Sequence, residues 1–303
     1  MHILSPRRIW FLIFALLPTT VFAQPQKIQR RTMGANLGQD SVLRDVTYCT
    51  NGGVALKLDV YLAKKTSNAA PCAVYIHGGG WQGGSKSGGS WMAPVTSELL
   101  KRGYVVAAVD YRLAPDFQWP AYIHDCKAAI RFLRANAKKF NLDPNRIGAW
   151  GTSAGGHLVA LLGTADASAK LEGEHYLDQS SRVQAVVDMF GPSDIPLLAS
   201  EAQHRERGTK IFGGTEAMFK EASPVTYVSK SNAPFLILHG EDDALVHANQ
   251  AKVLYEKLKT AGVEAKLVMV KNGTHGLNGR DLSPSHDELL KMIVEFFDKH
   301  LKK

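Results

Sequence analysis

An α/β fold, with a mostly parallel central sheet and helices on both faces, is predicted by three observations. Short runs rich in apolar and β-branched residues alternate along the chain with helix-like patterns. Most of these runs are nearly continuous in apolar residues, as strands covered on both faces are. The segments that carry candidate chemistry each follow the C-terminal end of such a run, which is where ligands gather in open parallel sheets.

Taken in order, residues 1–23 stand apart. Arg7 and Arg8 precede an unbroken apolar run from Ile9 to Leu17, and Val21-Phe22-Ala23 leads to a small residue at a cleavage point. This reads as a signal peptide cut after Ala23, with export to the periplasm or beyond the cell. The run is about half the 20 apolar residues that a spanning helix needs, so a retained membrane anchor fits less well. Val54–Tyr61 alternates and reads as a half-exposed strand. Cys72–Ile76, Tyr104–Val109, Arg146–Trp150, Gln184–Phe190 and Phe235–His239 read as buried strands, and Ala265–Val270 is a further candidate. Between them, Ala121 to Phe140 reads as one helix, because Ile123, Cys126, Ile130, Leu133, Ala137 and Phe140 recur at helical spacing on one stripe. Ala248–Ala261 stops at Gly262, and His286–His300 places Leu289, Ile293 and Phe296 on one side. Ser193–Val225 is too long for a plain connection, so short helices covering part of a pocket are expected there. No linker or repeat interrupts the remainder, and residues 24–303 are expected to form a single catalytic domain.

Composition narrows the function classes. Of 303 residues, 45% are hydrophobic and 21% charged, which suits a globular core. The 36 Lys and Arg against 28 Asp and Glu give +8, and without Arg7 and Arg8 the balance is +6. That excess is scattered, with no basic stripe interleaved with aromatics, so nucleic acid is a poor partner. The cysteines are Cys49, Cys72 and Cys126, an odd number with no CxxC or His-rich metal spacing. Cys126 falls on the apolar helix stripe; Cys49 and Cys72 are the pair an oxidising compartment could join.

Four segments compose a nucleophilic chemistry. Gly151-Thr-Ser153-Ala-Gly155 lies between an apolar strand and a helical pattern, the context in which G-x-S-x-G forms a sharp turn that exposes the serine hydroxyl. His77-Gly-Gly79-Gly80-Trp81 follows another strand, and its glycines leave backbone N–H groups open to a developing oxyanion. The amides of Gly79, Gly80 and Ala154 are the expected donors. His275, after the last strand and before the C-terminal helix, stands where the chain order Ser, acid, His places a general base. His77, His157, His239 and His247 have plainer explanations in loop support or packing. The acid lies in Glu241-Asp242-Asp243, among which the sequence does not choose, with Asp194 a more distant rival. This chemistry calls for no metal or cofactor. Trp81, Trp91 and Trp119 are placed in loops near the predicted mouth, where they either stack on a sugar or phenolic group or pack beneath the loops; Trp81 is the candidate substrate contact.

Together, His77-Gly-Gly-Gly-Trp81, Asp110-Tyr-Arg-Leu-Ala-Pro115, Gly151-Thr-Ser-Ala-Gly-Gly156 and His239-Gly-x-x-Asp243-x-x-Val246 resemble the α/β-hydrolase superfamily. The nearest groups are bacterial esterases close to hormone-sensitive lipase and the feruloyl/acetylxylan esterase-like (BD-FAE-like) proteins. The resemblance covers about residues 45 to 300 and implies a sheet of about eight strands, a Ser153-His275-Asp243 triad and a bracing role for the Asp110-Tyr111-Arg112 segment. Members often carry proline after the acid and after the following valine, where Ala244 and His247 stand here. The expected activity is that of an exported carboxylesterase acting on short-chain acyl or plant-polysaccharide (acetyl or feruloyl) esters, without stable membrane insertion after leader removal. The alternatives are an amide hydrolase of the formamidase or peptidase type and a non-catalytic binding protein on the same scaffold.

Overall fold

A computed structural model describes residues 42–62 and 68–302. The proposed signal peptide lies outside the described residues. In chain order the elements are β1 (Val42–Asn51), β2 (Val54–Tyr61), β3 (Ala70–Ile76), α1 (Met92–Lys101), β4 (Val105–Val109), α2 (Ala121–Ala135), α3 (Ala137–Phe140), β5 (Leu142–Thr152) and α4 (Ala154–Thr164). After these come β6 (Ala185–Met189), α5 (Ile195–Ser200), α6 (Ala202–Phe212), α7 (Glu216–Glu221), β7 (Phe235–Gly240), α8 (Asn249–Thr260), β8 (Ala265–Val270) and α9 (His286–Leu301).

The strands form one eight-stranded sheet in the order β1-β2-β4-β3-β5-β6-β7-β8. β1, β2 and β4 pair antiparallel, and every pairing from β4 across to β8 is parallel. This is the α/β-hydrolase fold. Every residue of β3, β4, β6 and β7 is buried, which explains their continuous apolar sequences. Successive side chains alternate between two cores. Val74, Ile76, Ile147, Val186 and Ile237 meet Ile130, Leu158 and Leu254 of α2, α4 and α8. Tyr75, Trp150, Val187 and Leu236 meet Val95 and Leu99 of α1 and Ile293 and Phe297 of α9.

Three differences from the sequence expectations have physical causes. The helix expected over Ala121 to Phe140 is broken at Asn136, whose side-chain Nδ2 donates to the Phe132 carbonyl at 2.9 Å and competes for a helix acceptor. β1 was not foreseen. It is an edge strand with register shifts between Leu43 and Val46 and between Thr47 and Cys49, so its burial does not alternate. Cys49 and Cys72 are both free thiols. They sit on β1 and β3, with β2 and β4 between them in the sheet, a separation of about 14 Å at ordinary strand spacing against the 7 Å limit for bridgeable Cα atoms. Cys126 is buried within the first core, as its place on the helix stripe predicts.

Candidate active site

β5 delivers the nucleophile candidate. It ends at Thr152, Ser153 takes φ +54° and ψ −119°, and α4 begins at Ala154. Such a conformation is costly for a non-glycine residue and needs strong support around it. Two glycines give that support by allowing backbones to touch. A Cβ at Gly155 would lie 2.1 Å from the Ile76 carbonyl oxygen, and one at Gly151 would lie 2.3 Å from the Gly155 oxygen. The turn is also pinned from the neighbouring strand, where Ser153 N–H donates to the Met189 carbonyl at 2.9 Å.

His275 Nε2 is 3.0 Å from Ser153 Oγ, and His275 Nδ1 is 2.8 Å from Asp243 Oδ2. A carboxylate only accepts, so Nδ1 carries the proton and Nε2 presents a lone pair to the serine hydroxyl. The turn around His275 is held by Asn278 Nδ2, which donates to the His275 carbonyl at 3.1 Å, and by Trp91 Nε1, which donates to the Gly276 carbonyl at 3.1 Å. The Phe190 ring meets the imidazole edge-on at 5.1 Å.

The rival carboxylates are elsewhere. Glu241 and Asp242 are exposed, and Asp194 caps α5 by accepting from Leu197 N–H at 3.0 Å. Asp243 is buried, and its Oδ1 accepts from the amides of Leu245 and Val246 at 2.9 Å each. That pair of bonds fixes the loop around Ala244. His239, also buried, brings Nε2 to 3.4 Å from Asp243 Oδ2 while donating to the Val246 carbonyl at 2.7 Å. Burial works to raise the Asp243 pKa, but hydrogen bonds from His239, His275 and the Val246 amide outweigh it and hold the carboxyl below the usual range.

The glycine loop after β3 is braced as the Asp110-Tyr111-Arg112 resemblance implies. His77 Nδ1 donates to the Gly78 carbonyl at 2.7 Å, and its ring stacks on Tyr111 at 4.3 Å. Tyr111 Oη donates to the His77 carbonyl at 3.0 Å. Asp110 Oδ1 accepts from Lys86 N–H at 2.6 Å, and Arg112 grips Asp125 with two bonds of 2.8 Å. Lys86 Nζ adds contacts to Asp45 at 3.1 Å and Asp59 at 3.2 Å. Gly79 takes φ +112°, and a Cβ there would lie 2.2 Å from the Gly83 carbonyl oxygen. Ala154 is the first residue of α4, so its amide has no carbonyl four residues back within the helix.

Gly79, Gly80, Ser153 and His275 share the wall of one cavity of about 480 Å³. α5 and α6 cover it with Ile195, Leu198, Ile211 and Phe212, as the long connection after β6 led one to expect. Trp81 lines the cavity but is 5% exposed, and its N–H donates to His157 Nδ1 at 3.2 Å. It offers an apolar wall and no free donor. Trp91 and Trp119 are buried packing residues outside this lining. His157 is wholly buried, with Nε2 donating to the Ala222 carbonyl at 2.6 Å. Arg207 of α6 is a lining residue that the sequence reading did not single out, because nothing in its neighbourhood marks a cap helix as facing a site. Among the described residues, no group of three or more His, Cys, Asp or Glu side chains is arranged to hold a metal ion.

Comparison with known proteins places this geometry in context. The sequence matches the BD-FAE family over residues 58–258. It is 34% identical to the esterase LipC of Mycobacterium tuberculosis over 67% of this chain and 52% of that one. The chain spans about half the length of the curated relatives it matches first. Among solved structures, a truncated carbohydrate esterase from gut microbiota superposes with a TM-score of 0.75 at 30% identity, covering 88% of this chain and 99% of that one. The propionate-bound esterase Est2 of Thermogutta terrifontis gives 0.71 at 28% identity, covering 84% and 93%.

Proposed function

The chain belongs to the BD-FAE family, and from that premise we propose that it is an exported serine carboxylesterase acting on short-chain acyl or plant-polysaccharide esters. One observation carries the reading: Ser153, His275 and Asp243 are hydrogen-bonded in series at 3.0 and 2.8 Å, beside a glycine loop and in the wall of a mostly apolar cavity. His275 takes the Ser153 proton as Oγ attacks the ester carbonyl. The amides of Gly79, Gly80 and Ala154 hold the resulting oxyanion. His275 then protonates the departing alcohol, and a water molecule repeats the sequence to free the acid and restore Ser153. Asp243 keeps the imidazole in the working tautomer and stabilises its charged form. Trp81 supplies an apolar wall for the bound ester.

The cavity volume falls within the range of small-molecule sites, which supports a short acyl group. The likeness to a carbohydrate esterase supports sugar-linked esters. Export rests on the leader-like residues 1–23.

The test is hydrolysis of p-nitrophenyl acetate, butyrate and octanoate, acetylated xylan and methyl ferulate, set beside an aryl amide and a formamide. Ester turnover that disappears in Ser153→Ala supports the reading. Preferential cleavage of the amide or formamide would replace it with an amidase. Failure of a fluorophosphonate to label Ser153 would leave a binding scaffold. Amino-terminal sequencing of the exported protein is expected to begin at Gln24.

A further inference from the structure

The proposed esterase site carries a charge asymmetry that bears on its substrate. Among the described residues no Asp or Glu lines the cavity, and Arg207 is its one Lys or Arg. The other titratable lining groups are His77, His204 and His275. His77 is buried under the glycine loop, and burial lowers its pKa against a partial offset from the Gly78 carbonyl, so it stays neutral. His204 lies 3.6 Å from Glu201, and His275 is committed to Ser153 and Asp243.

Arg207 is built into the wall. Its Nη2 donates to the Gly80 carbonyl at 3.3 Å and its Nε donates to Gln82 Oε1 at 3.1 Å. A Cβ at position 80 would lie 1.6 Å from Nη2, so the guanidinium occupies the space that glycine leaves open. These two bonds use two of the five N–H donors of a guanidinium. Among the described residues no carboxylate lies within 4.0 Å of it. A planar donor fork with no anionic partner, at the edge of an apolar cavity, favours a carboxylate guest, because the surrounding low-dielectric wall strengthens the attraction.

Resting on the esterase reading, we propose that this site selects esters whose own carboxylate lies in the same cavity as the scissile bond, with Arg207 as the specificity-determining residue. The contact with Gly80 sets the anion beside the glycine loop. Neutral esters of the same size enter the same cavity without that contact.

Two matched pairs test it. p-Nitrophenyl hydrogen adipate against p-nitrophenyl hexanoate places the carboxylate on the acyl side. 4-Acetoxybenzoate against its methyl ester places it on the alcohol side. In one pair the anion is expected to be cleaved with a kcat/KM about tenfold or more above its neutral partner. Arg207→Gln is expected to reduce that ratio by about tenfold or more, and Arg207→Lys to keep part of it, retaining the charge without the fork. A neutral preference in both pairs overturns the proposal while leaving the esterase reading intact. So does an anion preference that survives in Arg207→Gln. Absence of turnover on all four compounds, with Ser153 unreactive to a fluorophosphonate, would remove the esterase reading and this proposal with it.

Discussion

His239 Nε2 stands 3.4 Å from Oδ2 of Asp243, so the carboxylate proposed as the acid faces two imidazoles rather than one. His239 is completely buried, and its main bond goes to the Val246 carbonyl, in the loop whose Val246 amide donates to Asp243. His239→Leu removes a donor from both Val246 and Asp243, and a buried acceptor left without its partner costs about 1–3 kcal/mol. The expected outcome is a melting temperature lower by several degrees and a kcat lower by about tenfold, with His239→Gln milder in both. Paired calorimetry and p-nitrophenyl butyrate kinetics check it.

Asp243→Asn is expected to lower kcat by roughly 10⁴-fold, because the amide no longer enforces the tautomer that leaves Nε2 free for Ser153. Asp242→Asn and Asp194→Asn are expected to change kcat by less than about twofold, the first because Asp242 is exposed, the second because asparagine still caps a helix. Equal losses in Asp242→Asn and Asp243→Asn would reassign the acid.

Gly79→Ala tests the glycine loop without touching a side chain. The new Cβ meets the Gly83 carbonyl oxygen at 2.2 Å on a backbone already at φ +112°, so the loop must move. A fall in kcat of about 10²-fold is expected, comparable to the loss of one oxyanion donor. KM for p-nitrophenyl butyrate is expected to change much less, and steady-state kinetics separates the two.

Stability is expected to fall on acidification before the carboxylates protonate. Burial pushes His157 down to about 4, partly offset by its bond to the Ala222 carbonyl. The unfolded chain takes up that proton near pH 6.5, so between about 6.5 and 4 it binds more protons than the folded one and is favoured as pH drops. The loss for this one group reaches on the order of 3 kcal/mol by pH 4. Charging Nδ1 would also break the bond it accepts from Trp81. Urea unfolding at pH 7 and pH 5 is expected to show the difference, and His157→Gln to reduce it.

The sequence shows the parallel strands well because they are buried on both faces and their apolar runs are unbroken. It shows β1 poorly, since an edge strand with bulges and exposed Arg44 and Asp45 has no period to read. Ser153 and the glycine loop stand out because tight backbone contact restricts residue type, as at Gly155 and Gly79. The choice among Glu241, Asp242 and Asp243 does not stand out, because it turns on which carboxyl points inward to meet two loop amides and two imidazoles. Charged residues mislead in the same way. Lys127 and Arg131 of α2 are charged, yet both are buried against Glu172 from a distant loop.

The contact between Gly155 and the Ile76 carbonyl has an effect beyond holding one turn. It joins the strand that ends at Ser153 to the strand that ends before the glycine loop, so the two halves of the candidate site shift together or not at all. The roof of α5 and α6 meets the glycine loop through a side chain, Arg207 on the Gly80 carbonyl. Mutation of that roof can therefore reshape the entrance, and with it what the proposed site admits, while the turn beneath keeps its alignment.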